Sequence, residues 1–220
     1  VRLRVEGLFI KVSGITTEED ALFSIGLGAS AVGFEFGPTA RRITPVLAHD
    51  IVRRLPSGAI SVGEFRSEMP QRIVEIANTL GLTAVQIEGV ITAEHLAYVA
   101  ERVNTVMRTL PSATFIDSSS HIAGADYLVL PESDDHDSLV NCLATFLDET
   151  VPVPLIASGG LTPSNVVDLV QNYPVWGVDA RSGVEVSPGV KDPVLLGEFI
   201  ANARWAYANS YVERRHDDWF

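Results

Sequence analysis

A single cysteine, Cys142, in 220 residues excludes an internal disulfide and any metal site built on several cysteines. Basic residues are also short: 16 Lys and Arg stand against 28 Asp and Glu, a formal charge of −12 at pH 7. Binding to nucleic acid or to an anionic membrane relies on clustered Lys and Arg, so neither is expected as a partner, and an anionic ligand needs a local positive site. No apolar run approaches the roughly 20 residues of a spanning helix. The opening VRLRVEGLFIKVSG is broken too soon for a secretory signal. With thiol scarce and no leader, a cytoplasmic location is expected. Low-complexity linkers are absent as well, so composition marks no boundary and one domain over residues 1–220 is expected. What is present is a hydrophobic content of 46%, enough to bury a full core.

Strand-like and helix-like stretches alternate along the chain. Residues 8–13 read as a strand broken by Gly14, and Thr16 to Asp20 then caps and charges a helix carrying Ala21, Leu22 and Ile25. Residues 31–36 precede a helix over 44–55. Residues 60–65 precede one over 69–80, whose Ile73, Ile76, Ala77 and Leu80 fall at helical spacing before Gly81 stops it. A strand at 84–87 leads to a helix at 92–103, and 104–110 is the fifth strand. Residues 112–123 read as a helix, with a short strand around Phe115 as the alternative. The sixth pair is 127–130 and 137–150. A strand near Leu155 to Ala157 then feeds a helix with Pro163 at its first position, and a strand at 175–178 is followed by a last helix from Pro193. Eight such units predict a single closed (β/α)8 TIM barrel, with a doubly wound open sheet as the rival.

Residues 154–185 carry the anion-binding signal. Ser158-Gly159-Gly160 ends one strand and Asp179-Ala180-Arg181-Ser182-Gly183 ends the next, so small residues bare backbone N–H groups where a phosphate could sit. In a barrel these are the loops after strands seven and eight, where phosphate commonly binds. The Arg181 guanidinium offers a planar fork of donors and the positive charge that an acidic chain lacks. Alternation along the strands turns Lys11 and Asp179 toward the barrel interior with Ser13 and Arg181. The aromatic tail, from Trp205 through Tyr207, Tyr211 and Trp219 to Phe220, reads as packing across the barrel bottom or as a subunit contact, which leaves a homodimer open.

Lys11-Val12-Ser13-Gly14-Ile15-Thr16 resembles the first strand of the phosphoribosylanthranilate isomerases, K-I/V-C-G-I/L-T. The resemblance continues through Gly28 to Phe34, Ala40 to Pro45, Val62-Gly63, Gln86-Ile87-Glu88-Gly89, Ala157 to Leu161, Gly177 to Glu185 and Pro188 to Asp192. Several motifs in one order across most of the chain make it specific where each alone is weak. It implies an Amadori rearrangement of a phosphorylated aminoglycoside in tryptophan biosynthesis, with no metal and no cofactor. The reaction needs a general acid at the ring oxygen and a general base at the second carbon.

The same resemblance locates the site residues. Gly159, Gly160, Ser182 and Gly183 match the family's phosphate-binding positions, and Arg181 replaces a small hydroxyl residue. Arg41 matches the arginine associated with the anthranilate carboxylate, and with Lys11, Gln86 and Asp179 it forms the expected substrate-binding set. Both catalytic positions differ. Ser13 stands where the family has its cysteine base, and an unactivated hydroxyl is a far weaker base than a tunable thiol. Pro131 stands where the family has its aspartic acid. Glu88 replaces a histidine, and Glu35, Glu64 and Glu132 add further carboxylates to the expected mouth, where they can push one another's pKa values apart. Ser13, Glu88 and Glu132 are therefore the catalytic candidates; the alternative for the carboxylates is exposure, or pairing with Lys11, Arg66 or Arg108. His136 reads as a solvated loop residue. Two functions follow: an isomerase acting on a phosphosugar, or a protein that kept the phosphate site and lost proton transfer.

Overall fold

In the computed structural model, which describes residues 3, 5–109, 124–131, 136–147 and 153–212, eight parallel strands hydrogen-bond in chain order and close into a barrel. They are β1 (Phe9–Val12), β2 (Ala31–Glu35), β3 (Ile60–Phe65), β4 (Ala84–Ile87), β5 (Val106–Thr109), β6 (Tyr127–Val129), β7 (Leu155–Ser158) and β8 (Gly177–Ala180). Around them run α1 (Glu18–Leu27), α2 (Pro45–Val52), α3 (Pro70–Leu80), α4 (Ala93–Ala100), α5 (His136–Leu147), α6 (Val166–Asn172) and α7 (Pro193–Ala208). The (β/α)8 barrel expected from the alternation is the observed architecture. The segment read as a fifth helix, 112–123, lies outside the described residues.

Local chemistry sets the helix starts. Thr17, Thr44 and Thr92 each accept the N–H three residues on (Asp20, Leu47 and His95), and Asp192 accepts those of Val194 and Leu195 ahead of Pro193. Two expectations need correction here. Pro163 does not open a helix: residues 163–165 form a turn and α6 starts at Val166, because Asn165 turns its side chain back to Gly160 O (2.8 Å) and Thr162 N (2.8 Å). The eighth strand runs Gly177–Ala180 rather than 175–178, so Asp179 and Ala180 belong to the ladder and pair with Lys11 and Val12. A two-stranded hairpin, β9 (Glu185–Ser187) with β10 (Val190–Lys191), also intervenes before α7.

Apolar side chains form two bodies. Outward-facing strand residues such as Ile10, Val32, Phe34, Val85 and Val178 pack under the helices, while Phe9, Val62, Met107, Tyr127, Ile156 and Trp176 fill the lower barrel interior. Trp176 stacks on Phe9 at 4.6 Å and lies 4.5 Å from Tyr127. These rings close the barrel bottom from within. Tyr207 packs against the helix-side core, while Trp205 and Tyr211 are exposed; Trp219 and Phe220 lie outside the described residues.

Candidate active site

Above the apolar layer the barrel axis turns polar. Lys11, Glu64, Gln86, Thr109, Ser158 and Asp179 are all buried and come from β1, β3, β4, β5, β7 and β8. Register brings them level: Lys11 pairs with Asp179 across β1 and β8, and Glu64 with Gln86 across β3 and β4. The Lys11 ammonium, fully buried, lies 2.5 Å from Ser13 Oγ, 2.7 Å from Glu64 Oε1, 2.9 Å from Gln86 Oε1 and 3.0 Å from Asp179 Oδ2. Burial alone pushes the Lys11 pKa down, but the Asp179 and Glu64 carboxylates more than offset it and hold the amine protonated. For Glu64 burial acts upward, and the Lys11 and Arg181 charges with the hydrogen bond from Lys11 turn the net shift downward.

Ser13 is sealed into this network. It is 1% exposed, accepts from Lys11 and donates its own proton to Asp179 Oδ1 at 2.5 Å. Both sides of the hydroxyl are therefore occupied.

The mouth of the barrel holds a second ring of charge. Register sets Glu35 beside Glu64. Glu35 is buried, accepts from Arg181 Nη1 at 3.0 Å through one oxygen and from Thr39 Oγ1 at 2.6 Å through the other. Glu88, just past the end of β4, binds Arg66 through Nε (3.0 Å) and Nη2 (2.6 Å) on one carboxylate oxygen. Its other oxygen accepts weakly from Gln86 Nε2 at 3.4 Å. Burial, reinforced by the nearby Glu64 carboxylate, pushes the Glu88 pKa up against the opposing pull of Arg181 and Arg66. Glu64 and Glu88 thus share one cleft with their pKa values driven in opposite directions. The cleft also includes Gly37 and Thr39. Beyond Glu88 it meets a cavity of about 180 Å³ between the starts of α3 and α4, lined by Met69, Pro70, Ile73, Ile91 and His95.

On the opposite rim, Gly159 and Gly160 take the left-handed conformation (φ 90° and 61°) that lets the chain leave β7 in a tight turn. Gly183, in a 3₁₀ turn at Ser182–Val184, packs against this turn: a Cβ there would lie 2.0 Å from Leu161 O. The two glycine loops are therefore in direct backbone contact. Lys191 secures them from below, donating to Ser13 O (2.6 Å) and Glu185 Oε1 (2.8 Å) and reaching Arg181 O at 3.5 Å. Glu185 in turn receives Arg41 through Nε (3.0 Å) and Nη2 (2.7 Å) on Oε2. Lys191 and Glu185 were in a recognised motif but were not singled out. The Pro188-Gly189 turn was the available sign of the hairpin that carries them.

The family model described as N-(5'phosphoribosyl)anthranilate (PRA) isomerase matches residues 10–202. An N-(5'-phosphoribosyl)anthranilate isomerase of Thermotoga neapolitana is 34% identical over 204 residues, covering 89% of this chain and 98% of the relative. The chain belongs to the N-(5'-phosphoribosyl)anthranilate isomerase family. A counterpart from Geotalea uraniireducens is 35% identical over 201 residues, with 89% and 98% covered. Among solved structures, a phosphoribosyl anthranilate isomerase in complex with reduced 1-(O-carboxyphenylamino)-1-deoxyribulose 5-phosphate aligns with a TM-score of 0.79 at 34% identity over 90% of this chain and 99% of that one. TrpF from Jonesia denitrificans gives 0.80 at 26% identity over 90% and 98%.

Within this family frame, the expected residues divide into three groups. Lys11, Ser13, Gln86 and Asp179 meet in the buried network on the axis. Gly159, Gly160, Ser182 and Gly183 meet at the rim above β7 and β8. Arg181 extends from that rim into the mouth, onto Glu35, and Arg41 is held by Glu185. The Glu64 and Glu88 carboxylates pair with Lys11 and Arg66, as the alternative reading had it, whereas Arg108 binds backbone carbonyls. Glu132 lies outside the described residues, and His136, expected in a loop, is instead the first residue of α5, its side chain outside the described set. Among the described residues, no group of three or more His, Cys, Asp and Glu side chains is placed to hold a metal ion, and no helix is long and apolar enough to cross a membrane.

Proposed function

We propose that the protein binds a phosphorylated sugar across the barrel mouth and isomerises it by an Amadori-type aldose to ketose rearrangement, as in tryptophan biosynthesis, with Glu88 moving the protons. The phosphate rests on the N–H groups of the Gly159-Gly160 and Ser182-Gly183 loops, and Arg181 supplies the positive charge beside them. The observation that carries the reading is the contrast between Glu88 and Ser13. Glu88 opens onto the cleft with its pKa raised by burial, while the Ser13 hydroxyl is closed off by Lys11 and Asp179. A protonated Glu88 can give its proton to the ring oxygen as the carbon–oxygen bond breaks and the nitrogen forms an iminium. The resulting carboxylate can then take the proton from the second carbon, neutralising the iminium to an enolamine that tautomerises to the aminoketose. The proton count closes on one group and needs no cofactor. General acid and base catalysis of this kind contributes about 10²–10⁴ in rate.

The test is turnover of N-(5'-phosphoribosyl)anthranilate by the purified chain, compared with Glu88→Gln, which should lose about two to four orders of magnitude in kcat. Wild-type turnover untouched by that change sinks the assignment. The sealed Ser13 favours a second reading, a phosphometabolite-binding protein without proton transfer. That reading stands if the wild type binds phosphosugar without turning it over while Ser13→Cys combined with Pro131→Asp restores activity. A phosphoribosylanthranilate isomerase of Thermotoga maritima, 33% identical, is described as dimeric, and we extend a homodimer in the cytoplasm to this chain. A monomeric mass by light scattering at micromolar concentration rejects the dimer.

A further inference from the structure

Glu88 lies one residue beyond the β4 ladder, and its own N–H is tied to Phe65 O at 2.7 Å. The segment that follows turns at Gly89 and supplies Val90, Ile91 and Thr92 to the wall of the adjoining cavity. What fixes that segment comes from the neighbouring strand. Met107 faces the barrel interior and Thr109 reaches inward to Gln86, so Arg108 between them points outward, under the helices. It is 1% exposed and among the largest fully buried side chains.

Its guanidinium curls up to the barrel rim. Nη1 donates to Ile87 O and Thr109 O, both at 2.7 Å, and Nη2 donates to Gly89 O at 2.5 Å. Among the described residues Nε is buried without a partner. Among the described residues the partners of this cation are backbone carbonyls, and burying a charge is costly, so a fully buried arginine at this place calls for a reason. Ile87 and Gly89 are the two residues that flank Glu88, and both their carbonyls are held by this one side chain.

We propose that Arg108 is a positioning residue that sets the direction of the Glu88 carboxyl by clamping the backbone on both sides of it. The proposal rests on Glu88 being the proton-transfer group. Only a rigid fork with donors on two nitrogens spans both carbonyls, which a lysine ammonium on a flexible stem does not reproduce. Burial pushes the Arg108 pKa down and the Glu88 charge acts against that, consistent with the two groups lying close. The other groups facing Glu88 are Glu64 and Arg66 on and after β3, Gln86 on β4 and Arg181 after β8.

The experiment is a carbon-detected NMR titration of the Glu88 carboxyl in the full chain, assigned with Glu88→Gln, in wild type, Arg108→Lys and Arg108→Met. Arg108→Lys keeps the charge and loses the clamp. The Glu88 midpoint should fall by about half a unit or more as the carboxyl swings toward water. Arg108→Met should move it the same way, although loss of a cation alone would move it up. An unchanged midpoint in Arg108→Lys, or a rise in Arg108→Met, overturns the proposal and leaves Arg108 as scaffold or as a charge. Arg108→Gln replaces the methionine variant if that one does not fold. Turnover is not read, so failure of the Glu88 mechanism and failure of the clamp show up in different experiments.

Discussion

Replacing Lys11 with methionine should convert the best-satisfied part of the site into its weakest. The ammonium bridges Glu64 and Asp179, whose side chains are 3% and 4% exposed, at 2.7 and 3.0 Å. Removing one partner of a buried pair costs about 3–5 kcal/mol because the remaining charge stays buried. Two carboxylates are stranded here by one deletion. They share a single cation, so the costs do not add, and about 4 kcal/mol is expected; Arg181, near Glu64, keeps the figure from rising further. At about 2–4 °C per kcal/mol for a chain of this size, the melting temperature should drop by about 8–16 °C. The pH dependence gives a sharper test than the size. In the wild type the Glu64 pKa lies below its ordinary value of 4.5, so its contribution is present above pH 4.5 and is lost as pH falls through the folded value. Without Lys11, burial acts with less opposition and lifts the folded value above the unfolded one. Protonation then favours the folded state, and the penalty grows as pH rises through the raised value. Urea unfolding followed by tryptophan fluorescence at pH 5 and pH 8 should show a deficit that is smaller at pH 5. A loss below about 1 kcal/mol, or one equal at both pH values, would refute the claim that Lys11 is the buried counter-ion of this network.

Two changes at the rim follow the same logic. Glu35→Gln removes the carboxylate that occupies Arg181 Nη1, so inorganic phosphate should bind more tightly by calorimetry, while Arg181→Ala should weaken it by at least about 1 kcal/mol; equal affinities across the set would remove Arg181 from the phosphate site. Gly183→Ala places a methyl 2.0 Å from Leu161 O, where backbone must give way. It should cost about 1–3 kcal/mol of stability and weaken phosphate binding at the same time, and a variant that melts with the wild type shows that the two loops are not packed as described.

What was legible in the chain, and what was not, follows from how each half of the site is made. The half proposed to bind phosphate is built from backbone, and glycine spacing after an apolar run is local information, so Gly159, Gly160, Ser182 and Gly183 could be placed at one rim from sequence. Strand alternation likewise put Lys11 and Asp179 inside the barrel. The burial of Glu35 and Glu64 could not be read, because a carboxylate at a strand end is by default exposed and its counter-ion is far away in sequence: Lys11 lies 53 positions from Glu64, and Arg181 lies 146 from Glu35. Space for the pair depends on a third strand. Gly33 faces the same axis, and a Cβ there would sit 2.0 Å from Glu64 Oε1 and 3.2 Å from Lys11 Cε. Nothing local in Ala31–Glu35 says that its glycine is there to admit a salt bridge between two other strands. The late start of α6 was hidden for a related reason, since Asn165 spends its side chain on the glycine turn rather than on the helix. Substitutions at the mouth are therefore coupled through space: a carboxylate at 64 is tolerable only with Lys11 below it and glycine at 33 beside it, and Glu35 only with Arg181 and Thr39. A site held in this way has to change as a set, because Ser13, Glu64 and Asp179 share the one Lys11 ammonium and losing any of them leaves the others to be satisfied afresh.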